Sequence, residues 1–237
     1  MQCVILAGGR GTRMNTFTAQ IPKALIPVLG KPFIDYQLAH LVETGVTDII
    51  LSIGYRGNQI RDHVQDGMKW GVPVRYVDEG EDLRGTAGAL RLALDQGVLD
   101  PGFLMTWGDA FLPIDFSGVW RYFETRSEPI LMTVFKNNHR WGSSNVIFNG
   151  EKVTLYDKAA GQRNEPRFEY LDYGVSGLRR SMVESDIGPG QVDLANLMKQ
   201  RSLSGDIAGM EVQERFYEAG SPEGLKDLTE YFSKGAA

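Results

Sequence analysis

The feature that most constrains this chain is a short apolar run that ends in a cluster of glycines. Residues 1–7 form the run, and its last two residues begin the sequence LAGGRGTRM, which spans residues 6–14. A continuous apolar run of this length predicts a buried strand of a parallel sheet, and the glycines predict a tight turn. Such a turn lets backbone N–H groups converge on an anion while neighbouring arginines add positive charge. The residues concerned are Gly8, Gly9, Gly11, Arg10 and Arg13.

The spacing of these glycines disfavours a dinucleotide-binding oxidoreductase. That fingerprint is G-x-G-x-x-G, and here Met14 stands where the third glycine is required. An ordinary strand-to-turn junction with two glycines is the alternative interpretation of the pattern. The motifs further along the chain weigh against it.

Strands and helices alternate over the first 115 residues. This alternation predicts a mostly parallel sheet with helices on both faces, in which ligands bind beyond the carboxyl ends of the strands. The predicted strands are residues 1–7, 48–53, 72–77 and 103–107, and the predicted helices are 33–45, 59–64 and 87–94. The loops that carry the motifs follow the strands, so the sequence predicts a ligand site at that edge of the sheet.

The second half of the chain has a different pattern of elements. It predicts helices up to residue 126, at 192–201 and at 222–232, and strands at 130–135, 145–148, 152–156, 173–178 and 209–213. No linker or repeat marks a boundary, so we expect one domain over 1–237, with a first half at 1–115 and a second half at 116–237. The predicted fold class is α/β, a Rossmann-like three-layer α/β/α sandwich with a mostly parallel central sheet and a smaller β-rich acceptor-site elaboration.

Composition excludes several classes of function. The net charge of -5 provides no global positive field for a nucleic acid or an anionic membrane, so any anionic ligand must be bound locally. Cys3 is the only cysteine, which excludes an internal disulfide and favours a small core residue. No apolar stretch approaches the length of a membrane helix or a signal-peptide core. We therefore expect a cytoplasmic protein.

A second motif supports an interpretation of the first. PKALIPVLGKP spans residues 22–32, and its Lys23 supplies a point charge suited to a phosphate. With LAGGRGTRM before it and further blocks after it, the chain resembles the sugar-1-phosphate nucleotidylyltransferases. The resemblance is to the short single-domain type, which includes heptose and mannose 1-phosphate guanylyltransferases and N-acetylmuramate 1-phosphate uridylyltransferases. It implies that Lys23 contacts the α-phosphate and that Arg13 with the glycine turn holds the leaving pyrophosphate. It also implies a nucleotide-binding half at 1–115 and a sugar-phosphate-binding half at 116–237.

A third block, EGEDLRGTAGAL at residues 79–90, resembles the loop that faces the nucleobase. A carboxylate at Glu79 or Glu81 accepts two adjacent hydrogen bonds, which suits guanine better than uracil or thymine. A solvated acidic turn is the alternative for each of these carboxylates. The nucleotide-binding residues that the resemblance implies are Leu6, Ala7, Gly8, Gly9, Gly11, Thr12, Arg13, Lys23, Glu79, Glu81, Gly85 and Thr86.

Two further blocks carry the carboxylates that the resemblance assigns to a metal ion. Asp109 ends the block Trp107-Gly108-Asp109, and the family uses an aspartate at this place to bind Mg²⁺. One or two carboxylates plus substrate phosphates are the usual protein site for Mg²⁺. The second carboxylate of the family is an aspartate, whereas YEAGSP at residues 217–222 has Glu218. A capping aspartate is the alternative role for Asp109, and direct coordination by Glu218 stays open.

The acceptor half resembles the family less closely. Lys158 is similar to the family lysine that holds the sugar phosphate, and Asn145, Asp172 and Gly174 fall near the segments that line its sugar pocket. The segments WGSSNV at 141–146 and DYGV at 172–175 differ from those of the hexose enzymes. The sugar identity therefore stays open, and each of these residues also has a purely structural interpretation.

The resemblance implies an Mg²⁺-dependent transfer of a nucleotidyl group from a nucleoside triphosphate to a sugar 1-phosphate, in which Arg13, Lys23, Asp109 and Lys158 are the catalytic residues. The Gly85-Thr86 loop favours GTP with a heptose or mannose-like 1-phosphate. Uridylyl or thymidylyl transfer, a molybdopterin guanylyltransferase-like enzyme, and a non-catalytic nucleotide-sugar sensor are the alternatives. We expect no nucleic-acid partner, no membrane and no C-terminal β-helix domain. Oligomeric state stays open.

Overall fold

The core of the structure, a computed structural model that describes residues 1–10, 20–137, 140–159 and 165–235, is one mixed β-sheet. The described strands are β1 (Gln2–Leu6), β2 (Pro27–Val28), β3 (Lys31–Pro32), β4 (Asp48–Ile53), β5 (Val74–Asp78), β6 (Gly102–Trp107), β7 (Ala110–Phe111), β8 (Ile130–Lys136), β9 (Val146–Phe148), β10 (Val153–Tyr156), β11 (Tyr170–Arg179), β12 (Ile207–Val212) and β13 (Tyr217–Glu218). The described helices are α1 (Phe33–Glu43), α2 (Gly57–Val64), α3 (Gly85–Asp95), α4 (Phe116–Glu124), α5 (Arg180–Asp186), α6 (Leu194–Leu203) and α7 (Pro222–Ser233). Short 3₁₀ turns lie at Lys23–Leu25 and Met68–Trp70.

The strands of the main sheet run in the order β10-β9-β11-β6-β1-β4-β5, and β8 and β12 extend it beside β11. Strands β6, β1, β4 and β5 are mutually parallel, and β12 is parallel to β8. Strand β11 runs antiparallel to both β6 and β8. The predicted α/β class with a mostly parallel central sheet is confirmed. Strand β11, from the second half of the chain, joins the parallel strands of the first half through β6.

Helices cover both faces of this sheet and make the three layers. Helices α1, α2 and α4 pack on one face, and helices α3, α5 and α6 pack on the other. Strand β1 contributes Cys3 and Ile5 to the first face and Val4 to the second, which is why its sequence is apolar throughout. Burial raises the pKa of the Cys3 thiol to about 12, so Cys3 is a core residue as expected.

The structure differs from the sequence expectation mainly at short elements. The hydrophobic pattern of the sequence does not predict three short elements, namely helix α5, the β2–β3 hairpin and the two-residue ladder of β7 and β13. Strand β5 begins at Val74 and helix α3 at Gly85, each two residues from the predicted start. Helix α7 packs on the hairpin and on Phe111 in a third small cluster. No described helix is long and apolar enough to cross a membrane.

Candidate active site

The turns that follow β1 and β6 lie against each other at the carboxyl edge of the parallel strands. The Gly108 amide donates to the Leu6 carbonyl over 2.9 Å. A Cβ on Gly108 would lie 2.6 Å from the Cβ of Ala7, so only glycine permits this approach. The contact places Asp109, the next residue, beside the glycine turn of β1.

Lys23 and Asp109 form an ion pair at this edge. The Lys23 Nζ atom is 2.7 Å from Asp109 Oδ2, and both side chains are largely buried. Lys23 begins the 3₁₀ turn Lys23–Leu25, whose Ala24 packs in the core. A charged pair with this little solvent keeps a defined geometry, so the two side chains form a fixed polar centre.

The ladder between β7 and β13 brings Glu218 to the same centre. Glu218 pairs with Ala110, and the Ala219 amide donates to the Asp109 carbonyl over 2.8 Å. A Cβ on Gly220 would lie 2.5 Å from Glu218 Oε2, 2.9 Å from Asp109 Oδ2 and 3.2 Å from Lys23 Nζ. The carboxylates of Asp109 and Glu218 and the ammonium of Lys23 therefore surround one point.

The Glu218 side chain is held in a cradle made by the start of helix α7. The Ser221 hydroxyl donates to Glu218 Oε1 over 2.5 Å and accepts a hydrogen bond from the Gly224 amide over 3.0 Å. A Cβ on Gly224 would lie 2.5 Å from Glu218 Oε1 and 2.7 Å from its Cγ. The two glycines leave the room that the longer side chain needs, so Glu218 reaches the position beside Asp109.

Three pockets open around Asp109, and we name each after one residue. The Glu79 pocket has a volume of about 220 Å³, the Lys158 pocket about 360 Å³ and the Arg215 pocket about 540 Å³. Trp107 and Asp109 line all three of them. Ligands in different pockets would therefore meet at the fixed polar centre.

The Glu79 pocket collects most of the residues that the sequence assigned to a nucleotide. Gly11, Thr12 and Arg13 lie outside the described residues. Glu81 lines a different pocket, together with Arg10 and Arg56. The predicted residues that do line the Glu79 pocket are Leu6, Ala7, Gly8, Gly9, Lys23, Glu79, Gly85 and Thr86.

Glu79 is fixed at the wall of its pocket by backbone groups. Its Oε2 atom accepts a hydrogen bond from the Arg84 amide over 2.7 Å, and a Cβ on Gly8 would lie 2.8 Å from Oε1. Burial raises the pKa of this carboxyl above its usual value. Gly85 has a φ of +74°, and a Cβ there would lie 2.7 Å from the Val192 carbonyl oxygen. Glycine is therefore required at two points of close approach, Gly8 in the turn after β1 and Gly85 at the start of α3.

The Lys158 pocket adjoins the Glu79 pocket and shares Thr86, Trp107 and Asp109 with it. Lys158, Asp172 and Asp193 line it, and Lys158 Nζ is 3.9 Å from Asp193 Oδ2. Burial raises the pKa of Asp172 to about 6, although the Gly174 amide donates to its carboxylate over 3.1 Å. Asn145 lines neither this pocket nor the Arg215 pocket. Its amide oxygen instead accepts from the Asp172 amide over 2.9 Å, which positions the Asp172 backbone.

Comparison with known proteins bears on this site. Residues 2–144, more than half of the chain, match the family described as nucleotidyl transferase. The chain belongs to that family. It is 38% identical over 121 residues to the N-acetylmuramate alpha-1-phosphate uridylyltransferase of Neisseria meningitidis serogroup B, which covers 51% of this chain and 52% of that protein.

A second curated relative and a solved structure extend the comparison. The chain is 34% identical over 117 residues to the D-glycero-alpha-D-manno-heptose 1-phosphate guanylyltransferase of Campylobacter jejuni, covering 49% of this chain and 51% of that protein. The chain spans about half the length of these curated relatives. The solved structure of HddC from Yersinia pseudotuberculosis complexed with GMP-PN superposes with a TM-score of 0.81 at 24% identity, over 98% of this chain and 99% of that one. That superposition shows the shared fold.

The donor set at Asp109 suits a hard cation that also binds phosphate. No group of three or more His, Cys, Asp or Glu side chains within the described residues could hold a metal ion. Asp109 and Glu218 supply two carboxylates around one point. Mg²⁺ typically takes one or two carboxylates from a protein when substrate phosphates complete its coordination shell. The residues therefore fit Mg²⁺ bound together with a polyphosphate.

Asp193 and Arg215 are among the pocket residues that sequence reasoning missed. Asp193 accepts a hydrogen bond from the Thr86 hydroxyl over 3.2 Å and caps helix α6 through the Ala195 amide over 3.0 Å. An aspartate directly before an apolar helical pattern is a capping signal, which could have identified it. Arg215 contacts the rings of Trp141 and Tyr217, and nothing in the local sequence around it indicates this arrangement.

Proposed function

We propose that this protein transfers a nucleotidyl group from a nucleoside triphosphate to a sugar 1-phosphate, with release of pyrophosphate. One observation carries the proposal: the Glu79 and Lys158 pockets are separate but adjoin each other, and Asp109 lines both. A triphosphate in the first pocket and a sugar phosphate in the second would bring their reacting groups to one carboxylate. The activities named for the relatives from Neisseria meningitidis and Campylobacter jejuni support this class of reaction.

The reaction requires positioning and charge neutralisation rather than a general base, since the attacking phosphate oxygen is already an anion. Lys23 would bind the α-phosphate, Lys158 the acceptor phosphate, and Arg13 with the glycine turn the leaving pyrophosphate. Asp109 and Glu218 would hold Mg²⁺, which neutralises phosphate charge when bound. The oxygen attacks the α-phosphorus as the bond to pyrophosphate breaks, with no covalent enzyme intermediate.

Lys23 has a second role that follows from its ion pair. In the structure its ammonium neutralises Asp109, which prevents an isolated carboxylate at the fixed polar centre. Binding of a phosphate and a cation together would exchange this pair for Lys23 with phosphate and Asp109 with the cation. In the structure one ammonium stands against the two carboxylates of the centre, and the bound cation would offset the charge of Glu218 as well.

For the nucleobase we propose guanine. The Glu79 carboxylate lies in the wall of the nucleotide pocket near Gly85, and a carboxylate accepts two adjacent donors such as those of guanine. The Campylobacter jejuni relative is named as a guanylyltransferase, whereas the Neisseria meningitidis relative is named as a uridylyltransferase. The proposed substrate pair is GTP with a heptose or mannose-like 1-phosphate.

A crossed screen tests this proposal. Four nucleoside triphosphates are combined with a set of sugar 1-phosphates and Mg²⁺, and pyrophosphate release is measured. We expect release with GTP and a heptose or mannose-like 1-phosphate. Release with UTP or dTTP alone would contradict the guanine assignment but keep the reaction class. If the protein binds a nucleotide but releases no pyrophosphate with any pair of substrates, the result would contradict an enzymatic function and indicate a non-catalytic nucleotide-sugar sensor.

A further inference from the structure

One buried side chain of helix α1 holds the backbone on both sides of Asp109. Gln37 is 4% exposed, and its Nε2 atom donates to the Trp107 carbonyl and to the Ala110 carbonyl, each over 2.8 Å. Only Gly108 and Asp109 lie between these two carbonyls in the chain. A single amide group therefore fixes both ends of the turn that carries Asp109.

Main-chain hydrogen bonds hold the middle of this turn. The Gly108 amide donates to the Leu6 carbonyl of β1, and the Asp109 carbonyl accepts from the Ala219 amide that follows β13. The flanking carbonyls are the two that accept from Gln37. The turn is thus held from β1, from β13 and from α1, and helix α1 holds it through a side chain.

The two acceptors explain why glutamine suits this position. A primary amide nitrogen carries two hydrogens without a charge, and Gln37 donates both of them. The opposite orientation of the amide would bring its oxygen against two carbonyl oxygens, so the acceptors fix the orientation. An apolar side chain of the same size would leave both buried carbonyls without these hydrogen bonds.

Gln37 contacts none of the space in which substrates would bind. It lines none of the three pockets around Asp109. It does line a cavity of about 10 Å³ shared with His40 and Thr106, which can hold at most one water molecule. Any effect of Gln37 on the proposed reaction must therefore act through the turn that it holds.

Helix α1 also contacts the segment that carries the partner of Asp109. The helix packs on the 3₁₀ turn Lys23–Leu25. The Phe33 amide at its start donates to the Ile26 carbonyl, directly after that turn, over 2.9 Å. The same helix therefore supports both segments of the Lys23–Asp109 ion pair.

We propose that Gln37 is a positioning residue for the proposed nucleotidyl transfer: by holding both ends of its turn, it places the Asp109 carboxylate in the fixed polar centre. This inference rests on the proposed function, in which that carboxylate holds the cation. A displacement of about 1 Å near reacting groups can cost on the order of a hundredfold in rate. Loss of the two hydrogen bonds should therefore change catalysis and cation binding, although Gln37 touches no ligand.

Three variants separate positioning from a structural role. Gln37→Leu removes both donors at similar volume, whereas Gln37→His keeps one ring N–H donor at the same number of bonds from the backbone. His40→Leu is the matched control. His40 lies one turn further along α1, and its Nε2 atom is 3.1 Å from the Ile114 carbonyl, beyond β7. Thermal unfolding measures the stability of each variant.

The expected result is a split between kcat and KM. With Mg²⁺ and both substrates, Gln37→Leu should lower kcat at least about tenfold and leave the KM for the sugar 1-phosphate within about twofold, because no pocket loses a lining residue. Gln37→His should lose only a few-fold in kcat, and His40→Leu should keep the wild-type kcat. Binding of Mn²⁺ in the presence of the triphosphate, measured by electron paramagnetic resonance, should weaken several-fold in Gln37→Leu and not in His40→Leu.

Wild-type kcat and Mn²⁺ affinity in Gln37→Leu, or equal losses in Gln37→Leu and His40→Leu, would overturn the inference while the proposed function stands. If Gln37→Leu does not fold, Gln37→His replaces it, and a kcat equal to that of His40→Leu would then overturn the inference. No pyrophosphate release by the wild-type protein with any pair of substrates would reject the proposed function and this inference with it.

Discussion

The pockets that meet at Asp109 are built in different ways, and we treat the Glu79 pocket as one side and the Lys158 and Arg215 pockets as the other. The Glu79 side is formed largely by turns that follow the parallel strands β1, β5 and β6, and Gly8, Gly85 and Gly108 allow close contacts there that a side chain would block. The Lys158 and Arg215 side is collected from the antiparallel strand β11, the end of β10 and the segment after β12. The first side follows from a rule of parallel sheets, whereas the second depends on tertiary contacts that no local pattern encodes.

The two sides also differ in the number of their charged residues. The described charged residues that line the Glu79 pocket are Lys23, Glu79 and Asp109, and Lys23 pairs with Asp109. The Arg215 pocket is lined by two arginines and five carboxylates. Each prediction below tests one side, or the fixed polar centre where they meet, and the expected effects decrease in order.

The largest effect is expected at the meeting point. Gly220→Ala would place a Cβ against Glu218, Asp109 and Lys23 together, and should lower the rate of pyrophosphate release on the order of a hundredfold, as loss of placed charges does in other enzymes. The measurement is steady-state kinetics with circular dichroism to confirm folding. Gly188→Ala, where a Cβ meets nothing within 4 Å, is the control. Equal rates in the two variants would contradict the geometry of the centre.

On the Glu79 side, two glycines with similar positive φ angles separate the cost of backbone strain from the cost of a steric clash. Gly80 and Gly85 have φ values of +64° and +74°, but only a Cβ on Gly85 meets a neighbour, the Val192 carbonyl. Gly80→Ala should lower the free energy of unfolding by about 1 kcal/mol, and Gly85→Ala by roughly twice that or more. Gly85→Ala should also raise the KM for the triphosphate. Chemical denaturation compares the two, and equal losses would refute the contact.

On the acceptor side, Asp172 makes stability depend on pH. Its carboxyl has a folded-state pKa of about 6 against an ordinary 3.8, so the native state holds the extra proton between these values. Stability therefore falls as pH rises through this window. Asp172→Asn should be more stable than wild type at pH 7, on the order of 1 to 2 kcal/mol, with the difference vanishing below pH 4.

Denaturation at several pH values measures this dependence. Asp62→Asn, an exposed carboxylate on α2, serves as the control and should show no such pH-dependent gain. A variant at position 172 that is less stable than wild type at pH 7 would contradict the burial of this carboxyl.

A smaller effect is expected in the cradle of Glu218. Ser221→Ala removes the hydrogen bond to Glu218 and the cap of helix α7, and should lower the free energy of unfolding by about 1 kcal/mol. It should also weaken binding of Mn²⁺, a spectroscopic substitute for Mg²⁺, measured in the presence of the triphosphate. Ser221→Thr keeps the hydroxyl and should restore both properties. If the alanine variant binds Mn²⁺ as wild type does, Ser221 acts only as a helix cap.

The sequence predicts the Glu79 side of the site better than the Lys158 and Arg215 side. The parallel core is local in sequence, because each apolar strand runs directly into its loop, and there the expectation of a mostly parallel α/β sheet is confirmed. Glu79 and Glu81 were equivalent in the sequence, and only the packing of Glu79 against Gly8 separates them. The position of Glu218 depends on the two-residue ladder with β7, and that of Arg215 on Trp141, which is 74 residues earlier. Such contacts have no periodicity to detect.

Asn145 illustrates a different limit. Its sequence position suggested contact with the sugar, but its side chain holds the Asp172 backbone instead. Asn side chains bond readily to backbone groups, and a sequence does not distinguish that use from ligand binding.

The measurement that tests the account most directly is pyrophosphate release by Asp109→Asn. Asp109 lines all three pockets and pairs with Lys23, so in the proposed reaction both substrates and the cation would depend on it. With both substrates saturating and Asp62→Asn as control, the account predicts a loss of at least about a hundredfold in kcat with the fold intact. A folded Asp109→Asn protein that turns over within a few-fold of wild type would contradict it.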